Sequence, residues 1–388
     1  MSTLVQDSPG APETEAGGCP DERAAAAARL GSERRRLFLI GSAVSIGAPL
    51  LLYLTGAWEA AWFALAAAPL PLWARSVVFL LGAHLIMSVV LLPLAYYSGY
   101  VVAHAFGLSR QTRSAWAMDW LKGTLLTMIF GTFVGMAFLW TVTALGGAWW
   151  IAFGALATAL GIALVFVMPY VLVPLFFKMR PLEDSATAER IHRLVARAGA
   201  PARAVCTLDF SRRTAEANAA VIGLGRSRRV VIADTLLAEF TPREVDAVVG
   251  HEIGHHVHRD VHLLLIANGA VMWLGLALGA WLAPAAMPVL SLPSLDYVPA
   301  YPVLFALAEL YFLLLSPLSN WWSRRLETNA DRFALHLTED PAAFAGAMQR
   351  LGCQNLIEER PPRWSEVLLA SHPPIYRRVR LAREWQGA

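Results

Sequence analysis

His251, Glu252, Ile253, Gly254 and His255 form an HExxH motif immediately ahead of a long apolar segment. On a helix, positions i and i+4 share one face about 6 Å apart, so two imidazoles can hold one metal ion. Glu252 is turned about 100° from His251, which sets its carboxylate beside a metal rather than on it. A base standing there can take a proton from an attacking water. The motif therefore implies a zinc hydrolase holding one Zn2+ per chain, with peptide-bond cleavage as the reaction.

Two histidines leave a catalytic zinc one protein ligand short. A third histidine in the extended form of this motif would fall at position 261, which is Val261. His258 lies on the same helical face, but more than about 10 Å along the axis from His251. A better candidate is Glu327, in the stretch Ser323-Arg324-Arg325-Leu326-Glu327-Thr328-Asn329-Ala330-Asp331. Glu327 would complete a two-histidine, one-glutamate site. Asp331, one helical turn on, would accept a hydrogen bond from a ligand imidazole and fix its tautomer. Taken alone, a Glu/Asp pair beside arginines is more often a solvated ion-pair face. The preceding HExxH reverses that balance.

These residues must be positioned by a chain that is 56% hydrophobic and only 16% charged. A soluble domain carries nearer a quarter charged residues, and here the deficit is concentrated in long uncharged runs. Runs of membrane-spanning length occur at about 37–54, 76–97, 123–145, 149–177, 261–283 and 302–320. Trp149-Trp150, Tyr96-Tyr97 and Trp321-Trp322 sit at run ends, as interfacial aromatics do. Segment 57–73, with Trp58, Trp62 and Trp73, reads as an interfacial stretch rather than a further span. Glu309, inside the sixth run, is expected to face a cavity or the helix end.

Basic residues set the orientation. Arg34, Arg35 and Arg36 precede the first run, and Arg110, Arg113 and Lys122 lie between the second and third. The opposite loops hold Arg75 alone out of 32 lysines and arginines, so both termini and the HExxH segment are expected in the cytoplasm. A net charge of +3 gives no reason to expect nucleic acid as a partner. The expected partners are the lipid bilayer and a peptide or protein substrate presented at it. A bacterial inner membrane is the expected location.

The expected fold class is mainly α: a polytopic membrane protein with about six transmembrane helices and a cytoplasmic α+β peptidase domain. Residues 1–36 read as a disordered tail and 37–177 as four spans. Residues 178–260 and 321–388 are two halves of the peptidase domain, separated by a membrane hairpin at 261–320. Residues 185–198 have helical spacing, while Val205–Phe210, Ala217–Ile222 and Arg229–Ile232 read as short strands. Gly223, Gly225 and Ser227 mark the turn between the last two. Thr241-Pro242-Arg243-Glu244 is a capping box with proline in the first turn, so the HExxH helix starts there. Cys19, Cys206 and Cys353 are far apart and are expected to be free thiols.

With these motifs in order, the chain resembles the integral-membrane type I CaaX prenyl proteases, a gluzincin family, and more distantly the HtpX-type membrane proteases. The resemblance runs from Ser98 to Trp385. It includes Gly107-Leu108-Ser109-Arg110-Gln111-Thr112, Pro174-Leu175-Phe176-Phe177-Lys178, Val230-Val231-Ile232-Ala233-Asp234, the HExxH, the Glu327–Asp331 stretch and Ser371-His372-Pro373-Pro374. It implies that His251, His255 and Glu327 ligate zinc and that Glu252 is the general base and acid. It further implies that His372 helps stabilise the oxyanion. Asn218, Ala219 and Ala220 match the start of an edge strand on which a substrate peptide lies extended. The family's usual aromatic third residue is Ala220 here. Two other functions are weighed beside this one. They are an HtpX-like protease that clears damaged membrane proteins, and a non-catalytic zinc-stabilised receptor. The short outer loops and the intact Glu252 speak against the receptor.

Overall fold

The computed structural model describes residues 19–200, 202–223 and 228–387. Thirteen α-helices of six residues or more occur among them. α1 (Asp21–Leu54), α2 (Ala57–Ala66), α3 (Leu72–Tyr96), α4 (Arg113–Leu145) and α5 (Trp149–Val167) come first. The peptidase region then supplies α6 (Ser185–Arg197), α7 (Asp234–Glu239) and α8 (Pro242–Val257). α9 (Asp260–Val289) and α10 (Tyr301–Thr338) follow, with α11 (Pro341–Gln354), α12 (Arg363–Leu369) and α13 (Ile375–Arg383) completing the chain.

Among the described residues, five continuous helical stretches are long and apolar enough to cross a membrane. One of them, Arg113–Phe176, has 64 residues and folds back on itself. Gly146, at φ 50°, opens the turn between α4 and α5, and Phe138 packs edge-on against Trp149 and Phe153 across it. That hairpin resolves the five stretches into six apolar helices. At the end of α5 the helix widens into a π-turn at Met168–Leu172, where Pro169 removes a backbone donor.

The segment after α1 differs from a simple interfacial stretch. α2 tucks against the spans, with Trp58 buried beside Phe79, Val298 and Tyr301 and its indole donating to the Pro49 carbonyl at 3.0 Å. Residues 21–36 are not a disordered tail either: they form the first turns of α1. The run Ala24–Ala28 has high helix propensity, and Ala27 and Leu30 are buried against Val102, Leu108 and Leu356. Residues 1–18 lie outside the described part, as do Gly225 and Ser227 of the expected turn.

The expectation of three free thiols is also overturned. Cys19 and Cys353 form a disulfide between residues 334 positions apart, and only Cys206 is free among the described residues. Docking of α1 brings the two together. Arg23 donates to the Cys353 and Gln354 carbonyls, and Arg35 bonds Glu358 at 2.5 Å. No local spacing could have revealed a pairing made by that docking.

The sheet has four strands in the order β1 (Met179–Pro181), β2 (Ala204–Leu208), β4 (Arg229–Ala233), β3 (Ala219–Ile222). β2 and β4 are parallel, while β1 and β3 pair antiparallel on the flanks. β3 is therefore an edge. One core joins the sheet to the helices, centred on Val230, Ile232, Leu236, Val249, Ile253, Leu335 and Phe344.

The contact that positions the site is between α8 and α10. Thr241 caps α8 in a reciprocal capping box with Glu244. The helix then lays Gly250 and Gly254 against Ala334 and Ala330 of α10. A Cβ on Gly254 would stand 3.0 Å from the Ala330 Cα, which is backbone and cannot swing aside. Gly254→Val should therefore spread the two helices, cost about 1–3 kcal/mol and abolish stoichiometric metal binding. Gly47→Ala, whose Cβ would meet open space, should leave both unchanged. Thermal melts beside metal analysis of the two variants check this; normal metal content in Gly254→Val would contradict it.

Candidate active site

The seam between α8 and α10 brings His251, His255 and Glu327 together, as the residue spacing led one to expect. His255 Nε2 lies 3.2 Å from His251 Nε2. Glu327 completes the triangle, with Oε2 at 3.3 Å from His251 Nε2 and Oε1 at 3.4 Å from His255 Nε2. A tetrahedral ion with ligands at about 2.0–2.1 Å separates them by about 3.3–3.4 Å. The separations are close to those between ligands of one such ion, with Glu327 turning one oxygen toward each imidazole. Buried Glu327 Oε2 has no hydrogen-bond partner, a costly omission unless a cation faces it.

The outer nitrogens explain why the inner ones are available. His251 Nδ1 is 2.8 Å from Asp331 Oδ1, and His255 Nδ1 is 2.8 Å from Asp260 Oδ2. A proton on each Nδ1 satisfies these carboxylates and leaves an Nε2 lone pair pointing into the triangle. Asp331 thus lies against the outer nitrogen of His251. Asp260 was not singled out from the sequence. It opens α9 after Arg259, whose φ of 59° turns the chain sharply enough to bring Asp260 back under His255. An acid five residues beyond the second histidine was the available signal, hidden by the assumption that the helix runs straight on. That same break sets His258 apart as the cap of α8, packed on Phe333.

Arg378 is the second residue that the sequence reading passed over. It lies buried on α13 and grips Asp331 with Nε at 2.9 Å and Nη2 at 2.5 Å. His251 and Arg378 thus converge on one carboxylate, which the arginine holds well below its usual range against the cost of burial. Its clue was modest: one arginine in the Arg-rich stretch that follows His372.

His372 is exposed, with Nε2 at 3.2 Å from Glu327 Oε1 and Nδ1 at 2.9 Å from Ser371 Oγ. Glu252 lines a cavity of about 540 Å³ together with His251, His372, Asn218 and Ala219. Burial pushes the Glu252 carboxyl above its ordinary value. Asn218 and Ala219 thus border the same space, whereas Ala220 is not part of its lining. His256 donates from Nε2 to the Val221 carbonyl at 2.8 Å and so ties α8 to β3.

Comparison with known proteins agrees with this architecture. Residues 181–386 match peptidase family M48, and residues 2–178 match the CAAX prenyl protease N-terminal family, described as five membrane helices. The chain belongs to peptidase family M48. It is a multi-pass membrane metallopeptidase. This M48 peptidase is 28% identical over 318 residues to the uncharacterized metalloprotease YhfN of Bacillus subtilis, covering 81% of this chain and 74% of that one. It is 27% identical over 309 residues to a CAAX prenyl protease 1 homolog of Oryza sativa, covering 79% and 72%. Its fold matches the crystal structure of S. mikatae Ste24p with a TM-score of 0.83 at 21% identity, over 96% of this chain and 93% of that one.

In the metal-free protein, burial would lower the His255 pKa, but hydrogen bonds to Asp260 and Glu327 outweigh it and lift the value to about 10. A metal requires the neutral imidazole, so binding below that pH displaces a proton. Despite its burial, His251 is held above its ordinary value as well by Asp331 and Glu327. Apparent metal affinity should therefore rise at least about tenfold per pH unit between about pH 7 and 9 and flatten above about 10. Chelator competition across that range measures this, and a flat profile would contradict it. Asp260→Asn should weaken metal binding about 10–100-fold with helix content unchanged, as read by metal titration and circular dichroism.

Proposed function

We propose that this M48 peptidase is a zinc endopeptidase that cleaves membrane-presented or lipid-attached peptides at the cytoplasmic face of a bacterial inner membrane. The observation that carries the reading is the triangle of His251, His255 and Glu327, whose His251 lines one cavity with Glu252 and His372. His251, His255 and Glu327 would hold the ion, the borderline N/O donor set that zinc takes in catalytic sites. Bound there, zinc supplies Lewis acidity toward the scissile carbonyl and lowers the pKa of water.

The remaining steps belong to the chain's own residues. Glu252 takes a proton from the attacking water and returns it to the departing amine, a task suited to a carboxyl raised by burial. His372 stands at the exposed edge of the triangle, where it can donate to the developing oxyanion. Asp331 and Asp260 fix the two imidazoles, and Arg378 fixes Asp331. The substrate lies extended along β3, at Asn218, Ala219 and Ala220, adding a strand to the sheet edge. Support comes from β3 being an edge strand whose start borders the catalytic cavity. The cytoplasmic orientation is supported by the basic residues gathered on one side of the spans.

The relatives named CAAX prenyl protease 1 favour a substrate carrying a lipid near its cleavage site. Purified protein beside Glu252→Gln, assayed with matched prenylated and unmodified membrane-presented peptides, tests the reading. Both proteins should hold one zinc per chain, with cleavage in the variant down by at least about a hundredfold. A wild type without zinc would sink the mechanism. Equal cleavage of the two peptides would remove the lipid preference while leaving the peptidase.

A further inference from the structure

Behind the catalytic seam, on the opposite side of α10, lies a groove of about 420 Å³. Arg325, Arg332, Arg377 and Arg380 line it, with Trp321 at its upper end and the Asp331–Arg378 pair at its base. Arg324 also borders it but is spent on backbone, donating to the Glu366 and Ala370 carbonyls at 3.0 and 2.5 Å. Arg377 bonds Glu366 at 2.8 Å, and Arg380 lies 3.7 Å from the exposed Glu384. Counting Glu366 with Asp331 and Glu384, arginines still outnumber carboxylates two to one. Nothing in the peptidase chemistry uses this surplus.

The register of α10 says what the groove faces. Leu314, Leu318, Trp321, Arg325, Thr328 and Arg332 fall within about 40° of one line along the helix at 100° per residue. Leu314 and Leu318 are exposed on the spanning part, 69% and 57% accessible, and so meet acyl chains. The line continues without a break through Trp321, an interfacial residue type, to the guanidinium of Arg325 stacked 4.0 Å over that indole. Arg332 lies about 10 Å further on, at 1.5 Å per residue. An apolar stripe that ends in a concave cluster of guanidinium groups matches one class of molecule: acyl chains above, an anionic phosphate headgroup below.

We infer that this groove is a seat for one anionic glycerophospholipid. Its acyl chains lie on Leu314 and Leu318. The headgroup phosphate accepts hydrogen bonds from Arg325, Arg332 and Arg380, whose planar donors suit phosphate oxygens. The seat lies on the far side of α10 from Glu327, and Arg378 connects the two sides through Asp331 and His251.

Native mass spectrometry of the full chain released from mixed phosphatidylcholine and phosphatidylglycerol vesicles tests the seat. Wild type should retain one phosphatidylglycerol in preference to phosphatidylcholine. The triple variant Arg325→Gln, Arg332→Gln, Arg380→Gln should lose that adduct by at least about tenfold. A charge-matched control, Arg29→Gln, Arg36→Gln, Arg113→Gln, should keep it. Equal loss in the control would mean diffuse surface charge and overturn the seat. Displacement of the lipid by millimolar inorganic phosphate or glycerol phosphate would make it a site for soluble anions, which also overturns the proposal. If the triple variant does not fold, Arg332→Gln alone carries the test. Its side chain is exposed, so unchanged retention in that variant would count against the seat.

Discussion

The close approach of α8 and α10 at Gly254 and Ala330 is the constraint on which the molecule depends. Each helix carries part of the His251–His255–Glu327 triangle, which exists only where the two meet. The seam is made of glycine and alanine because any larger side chain would separate Glu327 from the two imidazoles. Around it the protein gathers His251, Glu327, Asp331, Asp260 and Arg378, all buried. Buried charges of this kind are stable only when they are paired, and removing one partner from such a set usually costs several kcal/mol. Arg378 answers Asp331, and the imidazole protons answer Asp260 and Asp331. Glu327 is left with a carboxylate that only a cation can satisfy fully.

The membrane part is more than an anchor for this cluster. α10 has 38 residues and runs from the apolar region to Glu327. At 1.5 Å per residue it is about 57 Å long. One helix thus joins the apolar region directly to Glu327. α1 performs the matching task on the other side. Its N-terminal part, residues 21–36, is fastened to the peptidase region by the Cys19–Cys353 disulfide and by Arg23 and Arg35. Arg34 of the same helix reaches the catalytic cavity, so one wall of that cavity belongs to a transmembrane helix.

What could be read from the chain alone was whatever depends on local spacing. The i, i+4 histidines, the capping box at Thr241, the apolar runs and their aromatic ends all follow from periods of helix and bilayer thickness. Glu327 and Asp331 were legible because they repeat the same spacing after the last span. The strands around Val205, Ala219 and Val230 were legible from short β-rich runs, with boundaries off by one or two residues. β1 escaped, since three residues ending in proline carry no strand pattern.

Sequence by itself picked out the candidate ligands, because a metal's ligands must be of a few residue types at helical spacing. Tertiary structure decided what completes and supports that chemistry. Asp260 reaches His255 only because the backbone turns at Arg259, and Arg378 reaches Asp331 only because α13 packs back onto α10. Cys19 meets Cys353 only because α1 docks on the peptidase domain. Each of these joins residues whose separation along the chain sets no distance in space, so it exists only once the helices are packed.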